Sequence, residues 1–196
     1  MRTAKSATAL ILFGLGFHFL PAQPALGATP GADCTLTLED KKANADLSFV
    51  EFDQEGTIPS TARQLAMRGC YREAAEAMED YLITGVVENL HQQRIMRFHL
   101  GQYLASAGDE REAAYVIAGT KNPEQPRNAF IDWNTYVDGT WAFLVKDRAI
   151  LDASFEALSA ASGNGNALDL HDLARLRRCF HRSYLDATTR DECAPE

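Results

Sequence analysis

The side chains that could carry acid–base, nucleophilic or ligand chemistry are few, and their spacings are poor for all three. Beyond the apolar N-terminal run lie His91, His99, His171 and His181. A helical zinc site of the H-E-x-x-H kind needs two imidazoles one turn apart with a glutamate between them. His91 and His99 are eight positions apart, which offsets them around a helix, and they are expected to be surface or capping histidines. Ser60, Ser106 and Ser154 lack the glycine-flanked elbow that exposes a nucleophilic serine. Asp109, Glu110, Glu112 and Asp147 stand at helix starts, where a negative charge complements the backbone dipole without any reaction. There is no glycine-rich phosphate loop. These residues therefore predict no catalytic set, no metal site and no cofactor.

The four cysteines, Cys34, Cys70, Cys179 and Cys193, suit covalent staples better. No pair has the C-x-x-C spacing of zinc, redox or haem-attachment motifs. An even number in an exported chain reads as two disulfides. Three pairings exist; Cys34–Cys70 and Cys179–Cys193 are favoured because each fastens a loose terminus to its nearest helix.

Export is read from the first residues. Arg2 and Lys5 precede an apolar run from Leu10 to Leu20, followed by Pro21, Pro24 and the small residues Gly27 and Ala28. Positive start, short apolar core and small-residue exit are the layout of a secretory leader, assigned to residues 1–28. The run is shorter than the ~20 residues a membrane span needs, and Cys34 lacks the small-residue lead-in of a lipid anchor. The expectation is a periplasmic or secreted protein with no membrane span after cleavage. The chain carries a net charge of −8, and loss of Arg2 and Lys5 makes it more acidic still, so a nucleic-acid partner is not expected.

The elements that would position any site are helices. Residues 29–59 read as an irregular N-terminal arm whose Phe49 and Phe52 cover the first helix pair, although residues 37–46 suit a short polar helix. From Ser60 to the end, residues 60–196, the pattern is helical. A first helix runs from Ser60 to Arg68 and stops at Gly69. A second carries Tyr71, Ala74, Ala75, Met78 and Leu82 on one stripe. A third spans Val87 to Ala107 and a fourth Glu110 to Ala118. The segment from Lys121 to Asn128, with Pro123 and Pro126, is a loop. A fifth helix places Phe130, Trp133, Val137, Trp141 and Leu144 toward a core, with Tyr136 off the centre of that stripe. Asp147 caps a sixth, Asn166 a seventh, and a short last helix covers Tyr184 to Thr188.

Within this array the stretch from Leu65 to Ala75 matches that from Leu104 to Ala114 at an offset of 39, and Gly139 to Asp147 lies more weakly over Gly101 to Asp109. A period near 40 built as helix–turn–helix predicts an all-α fold of stacked antiparallel helix pairs.

The middle copy, His99 to Ala113, resembles the tetratricopeptide repeat: Leu100-Gly101 lies in its first helix, Gly108 at its turn and Ala113 five residues beyond. The period exceeds that family's 34 residues. Thr61-Ala62 replaces Leu-Gly in the first copy, and Lys146 replaces the turn glycine in the third. The resemblance covers residues 60–160 and implies a right-handed α-solenoid of about three pairs plus terminal helices. It further implies a concave groove lined by the first helices, with Arg63, Gln102 and Thr140 at one recurring position and Phe98 and Tyr136 at another. The family's carboxylate-gripping Lys and Asn set is not reproduced. The whole chain also resembles a group of uncharacterised exported bacterial proteins through Phe52-Asp-Gln54, Gly69-Cys-Tyr71, Tyr136-Val-Asp138 and Cys179-Phe180, a likeness that brings no activity. The function expected from all of this is non-enzymatic protein–protein contact in the cell envelope. The alternatives are an enzyme acting on envelope polymers through paired carboxylates and a structural or stress protein with no ligand.

Overall fold

The computed structural model describes residues 33–126, 129–160 and 164–196. The leader assigned to residues 1–28 lies outside them. Among the described residues there are helices and no strands. In chain order they are α1 (Leu38–Ala45), α2 (Ala62–Met67), α3 (Tyr71–Thr84), α4 (Leu90–Ser106), α5 (Glu110–Ala118), α6 (Trp133–Leu144), α7 (Arg148–Ala160), α8 (Ala167–Arg178) and α9 (Tyr184–Thr189). From α2 to α9 each helix packs on the next, α6 also meets α8, and α9 returns to α4. One apolar core runs through the whole array, from Phe49 and Phe52 to Cys193. No helix in the described part is long and apolar enough to cross a membrane.

The N-terminal arm is more regular than expected. Thr37 and Asp40 cap each other's backbone in a full capping box, and this is enough to start the polar helix α1. The alternating segment after it closes as a π-helical turn, Val50–Glu55, because Phe49 and Phe52 both face inward on helical spacing. Phe52 stacks on Tyr81 at 3.9 Å, and the Tyr81 hydroxyl donates to the Leu47 carbonyl at 2.7 Å. Burial pushes that phenol up to about 12.

Three helix–helix junctions share one backbone geometry. Gly69 and Gly108 have φ of 83° and 96°, and Lys146 takes φ of 61° at the corresponding place. At each junction an amide reaches back five residues: Cys70 to the Leu65 carbonyl at 3.0 Å, Asp109 to Leu104 at 2.9 Å and Asp147 to Ala142 at 2.8 Å. These bonds satisfy carbonyls that the helix end would leave open. Small residues stand at matched places before the turns. A Cβ on Gly101 would run into the Ile117 side chain, and one on Gly139 would meet Leu173 at 2.7 Å; Ala62 is fully buried. Close approach of backbones is therefore why larger residues are absent there.

Two boundary expectations fail for local reasons. Phe130 is 62% exposed and precedes α6, because Asp132 caps the helix by accepting from the Thr135 amide at 3.3 Å. Asn166 precedes α8 but makes no cap; its Oδ1 accepts instead from the Asp132 amide at 2.7 Å. Asp147 does cap α7, accepting from the Ile150 amide at 3.0 Å.

The cysteines form two disulfides, Cys34–Cys70 and Cys179–Cys193, and none is free among the described residues. Such bonds fit an oxidising compartment outside the cytosol.

Candidate functional site

One face of α4 is built differently from the rest of the protein. His91, Arg94, Ile95, Phe98, His99 and Gln102 recur at three- and four-residue steps, so they form a single stripe. A stripe that mixes ring, imidazole, guanidinium and amide cannot close as ordinary core. It opens on a cavity of about 200 Å³. The other walls are the start of α6 through Trp133 and Tyr136, the loop before it through Asn122, Gln125 and Ile131, and α8 through Leu168, Asp169 and Asp172. Gln54 reaches in from the N-terminal arm.

The loop is held in place by side-chain amides standing in for missing secondary structure. Asn134 Oδ1 accepts from the Asn122 amide at 2.7 Å, and its Nδ2 donates to the Asn122 carbonyl at 2.8 Å. Gln125 accepts from the Asn134 amide at 2.9 Å and donates to Asp132 at 2.7 Å. Backbone groups that the prolines leave unpaired by helix or sheet thus find partners.

The aromatic wall is a connected set. Phe98 lies 5.0 Å from both the Trp133 and the Tyr136 ring centroids, and Trp133 lies 6.3 Å from Tyr136. The Trp133 indole N–H donates to the Thr120 carbonyl at 2.8 Å, and the Tyr136 hydroxyl donates to Asp172 Oδ2 at 3.0 Å. Burial first, and then the charge of Asp172, holds the Tyr136 phenol far above its ordinary value. The neighbouring Tyr184 phenol is raised by the same two causes, in the same order.

The acidic wall is formed by Asp169 and Asp172, one turn apart on α8. Burial, and after it the charge of Asp172, pushes the Asp169 carboxyl up to about 7. Behind α4 a second polar pair closes the floor. His99 is buried rather than at the surface, contrary to expectation, and its Nδ1 donates to the buried Asp53 Oδ1 at 2.7 Å. Gln54 Nε2 donates to the other oxygen of Asp53, and Arg63 Nε donates to the Asp53 carbonyl at 2.9 Å.

Of the groove positions implied by the repeat resemblance, the structure brings Phe98, Gln102 and Tyr136 together around the cavity. Arg63 stands behind it, engaged with Asp53. Thr140 is not on the groove: it is fully buried and its hydroxyl donates to the Tyr136 carbonyl at 3.0 Å. Asp53, Asp169 and Asp172 were not singled out from sequence. Asp169 and Asp172 sit among Leu168, Leu170 and Leu173 with the spacing of a solvated helix face, and only the packing of α8 against α6, across the cavity from α4, turns them inward.

The one described trio of His, Cys, Asp or Glu atoms close enough to share a metal is Cys34, Cys70 and Glu73, and its sulfurs are spent on a disulfide. No protein-family model, curated protein or solved structure matches this chain.

Proposed function

We propose that the chain is a non-enzymatic, exported protein of tetratricopeptide-like helix pairs, stacked as a solenoid, that holds a segment of a protein partner against the polar and aromatic face of α4. The single observation that supports this is the cavity itself. Six side chains of one helix face line it, with His91 exposed at the rim, Arg94 and Gln102 half-buried, and Ile95, Phe98 and His99 buried. At about 200 Å³ it is smaller than the roughly 300–1,000 Å³ of pockets for drug-sized molecules, and it suits one or two side chains of a peptide. The equivalent turns at Gly69, Gly108 and Lys146 support the stacked arrangement.

The test is site-directed photo-cross-linking in envelope extract. A benzophenone amino acid at His91, exposed on the cavity rim, is compared with one at Arg72, exposed on α3. A discrete protein adduct from position 91 and none from position 72 is expected. The same adducts from both, or none from either, overturns the proposal.

Asp169 and Asp172 favour a second reading, an envelope-polymer hydrolase, since burial keeps one carboxyl protonated near neutrality beside another that accepts a hydrogen bond. Glycoside hydrolysis needs its two carboxyls on opposite sides of the scissile bond. These two come from adjacent turns of one helix and so share a wall, which is why binding is preferred. Release of soluble fragments from purified envelope polymer, lost in Asp169→Asn and Asp172→Asn, would reverse that preference.

A further inference from the structure

The polar ends of the aromatic wall are already engaged. The Trp133 N–H is committed to Thr120 and the Tyr136 hydroxyl to Asp172, so what Phe98, Trp133 and Tyr136 offer the cavity is ring surface. Ring faces carry partial negative charge and attract cations. Asp169 and Asp172 complete this surface. Asp172 accepts one hydrogen bond from Tyr136 at 3.0 Å; the half-exposed His171 of its own helix lies 3.7 Å from its other oxygen, and Arg175, one turn further on, feels its charge without an ion pair within 4.0 Å. A carboxylate can accept about four hydrogen bonds, so most of its capacity is open to a ligand. Burial and Asp172 are what act on Asp169, and no cation of the described residues offsets them.

Resting on the binding function proposed above, we infer that this cavity takes the cationic side chain of a lysine or arginine from a partner protein, its stem against Phe98, Trp133 and Tyr136 and its charged head between Asp169 and Asp172. The size agrees, since about 200 Å³ admits one long side chain and little more. The charge agrees as well, because a protein of net charge −8 draws basic segments toward it. The guanidinium that lines the cavity, that of Arg94, lies toward the other end of α4, with the His91 imidazole beyond it. Gln102 is close enough to Tyr184 to act on its phenol, which also feels the charge of Asp172. Arg94 is eight residues and His91 eleven residues before Gln102, about 12 Å and about 16 Å of helix rise. The lining carboxyls of α8 and the lining guanidinium of α4 therefore stand apart, and this gives the bound segment a direction: cation toward Asp169 and Asp172, carbonyl or carboxylate groups toward Arg94.

The test titrates the purified protein, both disulfides intact, with capped tripeptides of alanine bearing a central lysine, arginine, norleucine or glutamate, and with n-butylamine as the lysine head and stem alone. The readout is the indole N–H resonance of Trp133, with that of Trp141 as the internal control. Lysine and arginine peptides are expected to shift Trp133 saturably. Norleucine should bind about tenfold or more weaker, as loss of a charge-assisted contact implies, and Asp172→Asn should weaken the lysine peptide by about the same factor. Asparagine retains an acceptor for the Tyr136 hydroxyl, so the melting temperature of that variant should stay close to wild type. Norleucine binding as well as lysine overturns the cation preference and leaves a cavity for a neutral protein segment. No response to any peptide overturns the inference, and the cross-link at position 91 then decides separately whether a partner exists. Butylamine binding as tightly as the lysine peptide overturns the assignment to a protein side chain in favour of a free amine.

Discussion

Lys146 occupies the backbone place that Gly108 occupies one helix pair earlier. Both are left-handed, with φ of 61° and 96°, and both precede an amide that closes back onto the preceding helix. Glycine adopts this region at no steric cost, whereas a residue with a Cβ does so at about 1 kcal/mol. Lysine tolerates it through its side chain: the ammonium lies 3.8 Å over the Phe143 ring and donates to the Arg182 carbonyl at 2.8 Å. Lys146→Ala and Lys146→Gly both delete those contacts and differ only in backbone. The glycine variant is therefore expected to be the more stable by about 1 kcal/mol in urea titrations. An alanine variant as stable as the glycine one would mean that position 146 relaxes out of the left-handed region.

The Asp53–His99 pair fastens the N-terminal arm to α4 across 46 residues. Asp53→Ala leaves the His99 Nδ1–H buried without its acceptor and should cost about 2–4 kcal/mol. Asp53→Asn keeps an acceptor and should cost far less. Hydrogen exchange separates a local from a global effect: faster exchange in α1 and Val50–Glu55, with α6 to α8 unchanged, is the expected pattern for the alanine variant. Uniform acceleration would show that the pair holds the whole core instead.

The two disulfides close loops of unequal length, 36 and 14 residues. If each acts by restricting the unfolded chain, Cys70→Ser should cost about 4 kcal/mol and Cys193→Ser about 3 kcal/mol. Melting of the two variants without reductant checks the order. A larger loss at Cys193 would mean that its packing in the core, where it is fully buried, outweighs chain entropy.

Helices were legible because their signals are local. The stripe through Tyr71, Ala74, Ala75, Met78 and Leu82, and the stop at Gly69, are each contained within a few turns of chain. Phe98, Gln102 and Tyr136 could be named before the fold only because the repeat register aligns them, and the same register misplaced Thr140, which the contact between α6 and its neighbours buries. The acidic half of the cavity had no local mark. Asp169 and Asp172 acquire their environment from α4, α6 and α9, and Asp53 from a histidine 46 positions away. Charge on a helix face looks the same in sequence whether solvent or another helix meets it.

Asp169 gives a stability that depends on pH with a definite sign. Its carboxyl titrates at about 7 in the folded protein, raised by burial and then by Asp172, against about 3.9 in an unfolded chain. Below about pH 4 both states are protonated, and the residue makes no difference between them. From about pH 4 to about pH 7 the folded protein keeps a proton that the unfolded chain has lost, so stability falls as pH rises. Above that range the protein carries the cost of a half-buried carboxylate beside Asp172. Asp169→Asn removes this cost. The variant should be more stable than wild type by about 1–3 kcal/mol at about pH 8, with the difference shrinking to nearly nothing at about pH 4. His91, His99 and Tyr136 also face the cavity and are present in both proteins, whereas Asp172 loses its repulsion from the Asp169 carboxylate in the variant, which adds to the same gain at high pH. A gain of equal size at both pH values would mean that asparagine simply packs better, and that the folded protein does not hold the Asp169 proton.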